Sequence, residues 1–124
     1  MREYLDPVDV EAWVSRRGLH VRDRALLLSA LAAPLPVFDE EVYPDLHEKA
    51  AVLLIAINRN HPLLDGNKRL SWLVTAAFYE LNGYDLAVDP QSDIDVFVRG
   101  IAAGQTDVPE TATWLAAHTS PLDS

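Results

Sequence analysis

Two long apolar segments, at about 44–60 and 67–82, constrain this sequence more than any other feature. In both, apolar residues repeat at the three- and four-residue spacing of a helix, and further apolar residues occupy the other faces. The predicted buried faces are Leu46, Ala50, Leu53, Leu54 and Ile57 in the first segment, and Leu70, Leu73, Val74, Ala77, Phe78 and Leu81 in the second. Helices that are apolar nearly all round need other elements around them. We therefore predict that these two helices form the centre of a helical fold.

Proline and glycine positions predict two shorter helices before this pair. Asp6-Pro7 is typical of a helix start, with Gly18 as its end. A second helix is predicted over 22–33, because Pro34 cannot continue it. Its predicted apolar stripe consists of Ala25, Leu28 and Ala32.

The remainder of the chain is also predicted to be mainly helical. One helix is expected from Asp89-Pro90 to about residue 103, and a last one from Pro109. The segment 84–88 is a candidate short strand. A length of 124 residues indicates one domain. The fold class is therefore predicted to be all-α, as a single compact bundle of about six helices covering residues 1–124.

The segment 35–43, directly before the first central helix, has no helical period. We predict a loop or a short extended flap there. It carries two aromatic residues, Phe38 and Tyr43, which suit either contact with a bound protein or anchoring in the core. The sequence leaves these two interpretations open.

Charge and composition exclude several classes of protein. A formal net charge of -9 opposes binding to the phosphate backbone of nucleic acid, although a local cationic site can still attract an anion. The absence of cysteine excludes disulfides and thiolate metal sites. The N-terminus lacks the apolar core of a signal peptide, and the longest apolar run, 50–57, is too short to cross a membrane. We expect a soluble, cytoplasmic protein without direct contact to nucleic acid or membrane.

The stretch between the central helices, NHPLLDGNKRL at 60–70, is unexpectedly polar. Lys68 and Arg69 fall in the first turn of the second central helix, where the helix dipole is already positive. Two cations there lower the stability of the helix unless an anion lies beside them. A phosphate at such a helix end is bound by free backbone N–H groups, by the dipole and by cationic side chains. The placement of Lys68 and Arg69 therefore predicts a phosphate site.

Neighbouring residues supply the other requirements of phosphoryl transfer, which are charge neutralisation and a proton acceptor. Asp65 offers a carboxylate to a Mg²⁺ ion that bridges nucleotide phosphates. Asn67 suits a phosphate oxygen or the metal, and Gly66 permits a turn or a close backbone approach. The imidazole of His61 can accept a proton from an attacking hydroxyl. Because Pro62 follows it, His61 is expected to lie outside the helical region of backbone conformation.

Each of these residues also has an ordinary structural interpretation. His61 alone suits a helix C-cap, and Asp65-Gly66 alone suits a turn. Asn67 alone suits a helix N-cap, and Lys68-Arg69 alone suits a solvated pair. Their occurrence together favours a catalytic site, because the ordinary interpretations leave two cations at a helix start without a reason.

The stretch HPLLDGNKR resembles the signature of the Fic/Doc (Fido) superfamily, His-x-Phe-x-(Asp/Glu)-(Gly/Ala)-Asn-x-Arg. The matching residues are His61, Asp65, Gly66, Asn67 and Arg69, and Leu63 replaces the usual phenylalanine. RDRALLLSAL, VYPDLHEKAAVLL and AAFYELNGYDL are similar to the Doc branch, so the resemblance covers nearly the whole chain. It implies a Fido-type bundle with a flap at about 35–43, central helices at about 44–60 and 67–82, and the motif loop at 61–66.

Two positions favour the Doc branch over the adenylyltransferases of the superfamily. Those enzymes carry glycine between the signature asparagine and arginine, and a second arginine one turn later, whereas this sequence has Lys68 and Trp72. Resemblance to Doc implies the toxin of a toxin–antitoxin module. It implies a protein serine/threonine kinase that transfers the γ-phosphate of ATP to a threonine of elongation factor Tu, which arrests translation. The implied cofactors are ATP and Mg²⁺.

The resemblance also assigns roles by position. His61 would be the general base, Asp65 the Mg²⁺ ligand, and Asn67 a ligand of the metal or of a phosphate. Lys68 and Arg69 would bind phosphates and the charge that develops during transfer. The implied phosphate-binding residues are Gly66, Asn67, Lys68 and Arg69. The flap aligns the backbone of the target in relatives, which would give Phe38 and Tyr43 a role in target binding.

Control of such a toxin is implied to come from a second protein. Doc-type toxins are neutralised by a small Phd-like antitoxin, whose C-terminal segment folds against the toxin in an apolar groove. The first helix, with Trp13, and the last helix, with Trp114, are candidates for that groove because they lie outside the central pair.

Two alternative functions remain open on the same scaffold. One is a Fic-type transferase of AMP or another nucleotide, against which Lys68 and Trp72 count. The other is a non-catalytic, antitoxin-binding corepressor, against which the intact motif counts.

Overall fold

The structure is a computed structural model that describes residues 2–122. This part of the chain folds into six helices and a small two-stranded sheet, so the predicted all-α class with about six helices is confirmed. In chain order the elements are α1 Pro7–Arg16, α2 Arg24–Ala32, α3 Leu46–Asn60, α4 Asn67–Leu81, β1 Tyr84–Leu86, α5 Ser92–Ala102, α6 Val108–Ala117 and β2 Thr119–Pro121. The strands β1 and β2 pair antiparallel, with Asp85 opposite Ser120.

Helix α3 lies at the centre and packs against α2, α4, α5 and α6. Its start is fixed by Asp45, whose carboxylate accepts hydrogen bonds from the backbone N–H groups of His47 and Glu48 at 3.1 and 3.2 Å. The buried residues lie on all of its faces, which explains the nearly uniform apolar sequence: Leu46, Lys49, Ala50, Ala51, Val52, Leu53, Leu54, Ile55, Ile57 and Asn58.

Helix α4 buries a different face from the predicted one. Leu70, Val74 and Phe78 are buried as expected, but Leu73, Ala77 and Leu81 are exposed. Their places are taken by Ser71, Thr75 and Tyr79. The hydroxyls of Ser71 and Thr75 donate to backbone carbonyls one turn earlier, each at 2.7 Å, so their burial leaves no unpaired group.

The predicted stripe of α2 was also wrong. Ala25 and Ala32 are exposed and Leu28 is half-buried, whereas the buried residues are Leu27, Ala30 and Leu31. The segment RALLLSALA is apolar on nearly every face, so its period does not decide which face packs. Packing against α3 decides it instead.

A buried charge, which the apolar pattern does not predict, lies where the flap meets α3. The side chain of Lys49 is fully buried; its ammonium group donates to the carbonyl of Pro34 at 3.3 Å and forms an ion pair with Glu41. The same nitrogen lies 5.5 Å from the centre of the Tyr4 ring. Glu41 belongs to the segment 35–43, so this ion pair ties the flap to the central helix.

We expect Glu41→Gln to lower the free energy of unfolding by about 1–3 kcal/mol, because it leaves the Lys49 charge buried without a counter-charge. Urea unfolding measures this change. The double variant Glu41→Gln with Lys49→Met should recover most of the loss, since methionine suits apolar surroundings. Glu40→Gln, at the neighbouring exposed position, is the control, and an equal loss there would contradict the assignment.

Candidate active site

His61 lies where α3 ends. It is the C-cap of the helix, with φ 48° and ψ 58°, and its backbone N–H donates to the carbonyl of Ile57 at 3.2 Å. The expected departure from helical conformation is confirmed, although the residue adopts the left-handed region and not an extended one. This conformation is uncommon for a residue with a side chain. The His61 residue is exposed at this turn.

The motif loop 61–66 is held by the segment between α1 and α2. The hydrogen bonds run from the N–H groups of Arg22 and Asp23 to the Pro62 carbonyl, at 2.7 and 3.1 Å, and from the N–H of Leu64 to the His20 carbonyl at 3.0 Å. Val21 and Leu63 form the bridge between the two segments. Leu63 is 1% exposed and belongs to the core, so it fills the anchoring place of the usual phenylalanine.

The side chain of Asn67 forms hydrogen bonds with the backbone of the motif loop. Its amide nitrogen donates to the Leu63 carbonyl at 3.0 Å, and its amide oxygen accepts from the Leu63 N–H at 2.8 Å. The ordinary N-cap interpretation of Asn67 is wrong, because the N-cap of α4 is Gly66 with φ 88°. The exposed Asp65 accepts the Gly66 N–H at 2.9 Å. Both side chains therefore shape the turn that leads into α4.

The start of α4 combines open backbone donors with two cations. The first helical hydrogen bond runs from the Leu70 N–H to the Gly66 carbonyl at 2.8 Å, so the N–H groups of Asn67, Lys68 and Arg69 have no partner within the helix. No side chain caps this end, and its first turn contains no acidic residue. Lys68 and Arg69 are exposed. This arrangement is suited to an anion such as phosphate.

A cavity of about 610 Å³ adjoins these cations between α4 and α5, which is within the size range of small-molecule sites. It is lined by Lys68, Arg69, Trp72, Leu73, Gln91, Ile94, Asp95 and Val98. Trp72 also packs edge-on against the rings of Phe97 and Trp114, with centroids 6.5 and 6.2 Å away. It therefore serves as part of the wall between α4 and the C-terminal helices.

The structure brings the predicted residues 61 and 65–69 together on one loop and one helical turn, and it places the flap residues separately. Phe38 is 96% exposed at φ 49°, so the interpretation of Phe38 as a core anchor is wrong. Tyr43 is half-buried and lines a second cavity, of about 390 Å³, whose wall includes Asn60.

Comparisons with known proteins show the family of this chain. A family model described as the Fic/DOC family matches residues 3–79, which contain helices α1 to α3, the motif loop and all but the last two residues of α4. The chain belongs to the Fic/Doc family. Among curated proteins, Toxin Doc from Mycolicibacterium smegmatis (strain ATCC 700084 / mc(2)155) is 40% identical over 121 residues, which cover 94% of this chain and 93% of that protein. The likeness thus extends through α5 and α6, and the helical bundle is of the Fido type.

The candidate site of this Fic/Doc chain offers few protein ligands to a metal ion. Among residues 2–122, no group of three or more histidine, aspartate or glutamate side chains is arranged to hold a metal. A Mg²⁺ ion shared with nucleotide phosphates needs only one or two carboxylates from the protein. The exposed Asp65, beside the open end of α4, fits that requirement. Over the same residues, no helix is both long enough and apolar enough to cross a membrane.

Two contacts in this Fic/Doc chain had no counterpart in the sequence interpretation. The guanidinium group of Arg22 donates to the carbonyls of Asn60 and His61. His47 Nδ1 lies 2.8 Å from the hydroxyl of Tyr79, in the core. Burial, and then the Asp45 carboxylate, raise the pKa of the Tyr79 phenol, so this hydroxyl stays protonated. Both contacts join segments that are distant in sequence, and local sequence patterns do not predict such contacts.

We expect Lys68→Gln to raise the free energy of unfolding by about 0.3–1 kcal/mol in anion-free buffer, because it removes a cation from the positive end of a helix dipole. Glutamine matches lysine in helix propensity, so the change reports charge. Urea unfolding at low ionic strength measures the effect. Arg99→Gln is the control: Arg99 lies in the last turn of α5 and pairs with Asp95 at 2.8 Å, so its loss should lower stability. A loss of stability in Lys68→Gln would contradict the anion-site interpretation.

Proposed function

We propose that this protein is the toxin of a toxin–antitoxin module and that it transfers the γ-phosphate of ATP to a hydroxyl group of a protein target. The observation that carries the proposal is the pair of exposed cations at the uncapped start of α4, next to His61 and Asp65 on the motif loop. Membership of the Fic/Doc family supports a transferase that uses a nucleotide substrate. The likeness to Toxin Doc supports a toxin.

Phosphate binding would fall to the first turn of α4. The free N–H groups of residues 67–69 point along the helix axis and donate to phosphate oxygens, while Lys68 and Arg69 neutralise their charge. The adjoining cavity of about 610 Å³ has room for the nucleoside. When bound through Asp65, Mg²⁺ would supply further neutralisation of the phosphate charge. These residues bind and orient ATP with its γ-phosphate towards the target.

His61 would act as the general base. An imidazole nitrogen accepts the proton of the target hydroxyl as that oxygen forms its bond to the γ-phosphorus. The bond between the γ-phosphorus and the oxygen that links it to the β-phosphate breaks, and ADP leaves. Lys68 and Arg69 stabilise the negative charge on the transferred group during this step. The products are ADP, a phosphorylated target and a protonated His61, which returns its proton to water.

Lys68 and Trp72 support phosphate transfer over AMP transfer. A lysine side chain in place of glycine occupies space against the helix end, where AMP-transferring relatives seat the nucleotide's phosphates. Trp72 stands where those relatives carry a second arginine, and it is packed against Phe97 and Trp114. The chain therefore lacks one cation of the site for AMP transfer. The exposed motif counts against a silent corepressor, which has no use for two unfavourable cations.

The proposed target is a threonine of elongation factor Tu, with arrest of translation as the outcome, because the chain resembles the Doc branch over nearly its whole length. The flap supports docking of a protein substrate. Phe38 exposes an aromatic ring on a segment that the Glu41–Lys49 ion pair fastens to α3. Exposed aromatic residues on a fixed backbone are typical of protein interfaces.

Intact-mass spectrometry tests the activity. Incubating elongation factor Tu with this protein, ATP and Mg²⁺ should add the mass of one phosphate to the factor, and His61→Ala should abolish the gain. His20→Ala is the matched control, since His20 is exposed and contacts the motif loop through its backbone carbonyl, which accepts the Leu64 N–H. A gain of the mass of AMP would move the protein to the nucleotide-transferring branch, and no gain would exclude elongation factor Tu as the target.

A groove between α1 and α4 supports an antitoxin partner. Its volume is about 350 Å³, and it is lined by Leu5, Asp9, Val10, Trp13, Arg16, Arg17, Leu73, Val74 and Ala77. We propose that it receives the C-terminal segment of a Phd-like antitoxin, with apolar side chains on its floor and acidic ones beside the two arginines. Trp114, the other candidate, is stacked on Phe97 and His118 at 3.7 and 3.9 Å and is therefore already packed.

Charge reversal tests the groove. We expect the double variant Arg16→Glu with Arg17→Glu to weaken binding of the antitoxin segment by roughly tenfold or more, because like charges then face each other. Isothermal titration calorimetry measures the affinity. Arg2→Glu, at an exposed position outside the groove lining, is the control. Unchanged affinity in the double variant would place the partner elsewhere, whereas His61→Ala should bind as the unaltered protein does.

A further inference from the structure

Arg22 lies outside the motif, yet its side chain reaches the backbone of the candidate base. Its Nε donates to the His61 carbonyl at 2.9 Å, and one terminal nitrogen donates to the same carbonyl at 2.7 Å and to the Asn60 carbonyl at 3.1 Å. These carbonyls lie at the C-terminal end of α3, where helical partners are lacking and the dipole is negative. A guanidinium group is matched to that end in charge and in geometry.

His61 needs such support because of its backbone conformation. The left-handed region costs a residue with a side chain on the order of 1 kcal/mol or more, and such residues persist where their surroundings hold them. The peptide groups on both sides of the His61 Cα are held here. Arg22 binds the carbonyl of the preceding group and that of the following one, and φ and ψ of His61 are defined by the orientations of these two groups. They also fix the direction in which the Cβ leaves the backbone.

We propose that Arg22 is a positioning residue. Its guanidinium group binds the two carbonyls that flank the His61 Cα and so directs the imidazole towards the reacting hydroxyl. Arg22 acts through the backbone and touches neither nucleotide nor target. The inference rests on the proposed function, in which His61 is the base. It extends the site to the segment between α1 and α2, which the motif does not include.

We expect the fold to tolerate loss of this side chain. Leu63 is buried in the core, and the backbone N–H groups of residues 22 and 23, which donate to the Pro62 carbonyl, are retained in Arg22→Ala. Arg24 provides a matched control, because it carries the same charge two residues later and is exposed. Its guanidinium pairs with Glu11 at 2.8 Å and not with the motif loop.

Steady-state kinetics on the full chain separates positioning from general damage. We expect Arg22→Ala to lower kcat by roughly 10- to 100-fold, the range that follows from a misplaced catalytic group, with the KM for ATP changed less than about twofold. Arg22→Lys should recover part of kcat, since an ammonium group can still bind one carbonyl. Guanidinium ion added to Arg22→Ala should also raise kcat. Arg24→Ala should match the unaltered protein in all these quantities.

Nuclear magnetic resonance gives a second measurement that needs no activity. The three-bond coupling between the N–H and Hα of His61 reports φ directly, and we expect it to change in Arg22→Ala but not in Arg24→Ala. An unchanged coupling, or a kcat within about twofold of the unaltered protein, would overturn the positioning role. If the coupling changes while the unaltered protein transfers no phosphate to any protein, the proposed kinase function fails and the control of the His61 backbone by Arg22 stands.

Discussion

Enclosure of α3 is the constraint on which the other elements depend. Almost every side chain from Lys49 to Asn58 is buried, so the neighbouring helices must cover this helix on all sides. The loop 61–66 joins the C-terminal end of α3, which is negative, to the N-terminal end of α4, which is positive. Arg22 binds the negative end through the carbonyls of Asn60 and His61, and the positive end, at α4, carries two cations with no acidic partner in its turn.

Much of the fold was predictable because strong local signals coincide with tertiary packing. The Asp6-Pro7 start, the two long central helices and the short strand near Tyr84 follow from capping, period and turn residues. The buried faces of α2 and α4 were not predictable, because both helices are apolar on more than one side. In α4, Ser71 and Thr75 could replace Leu73 and Ala77 in the interior only because their hydroxyls bond to their own helix.

The candidate site also has one part that was predictable from the sequence and one part that was not. Residues 61 and 65–69 are close in sequence, so their proximity followed from the motif itself. The two hydrogen bonds between the Asn67 side chain and the Leu63 backbone depend on the conformation of the loop, which the motif does not specify. The hydrogen bonds from Arg22 to the motif loop depend on the packing of a segment distant in sequence. The buried ammonium group of Lys49 likewise depends on the flap, which provides the carboxylate of Glu41. Local pattern predicts chemistry within a turn, whereas contacts across the chain arise from packing.

The two cations at the start of α4 link occupancy of the site to the lifetime of the chain. In the free protein they repel each other and the helix dipole, so the ligand-free state carries an electrostatic penalty that a bound anion removes. A ligand that binds only the folded state shifts the folding equilibrium in proportion to its concentration. Under the proposed function, a cell rich in ATP would therefore protect this protein from proteolysis, and starvation for nucleotide would shorten its survival.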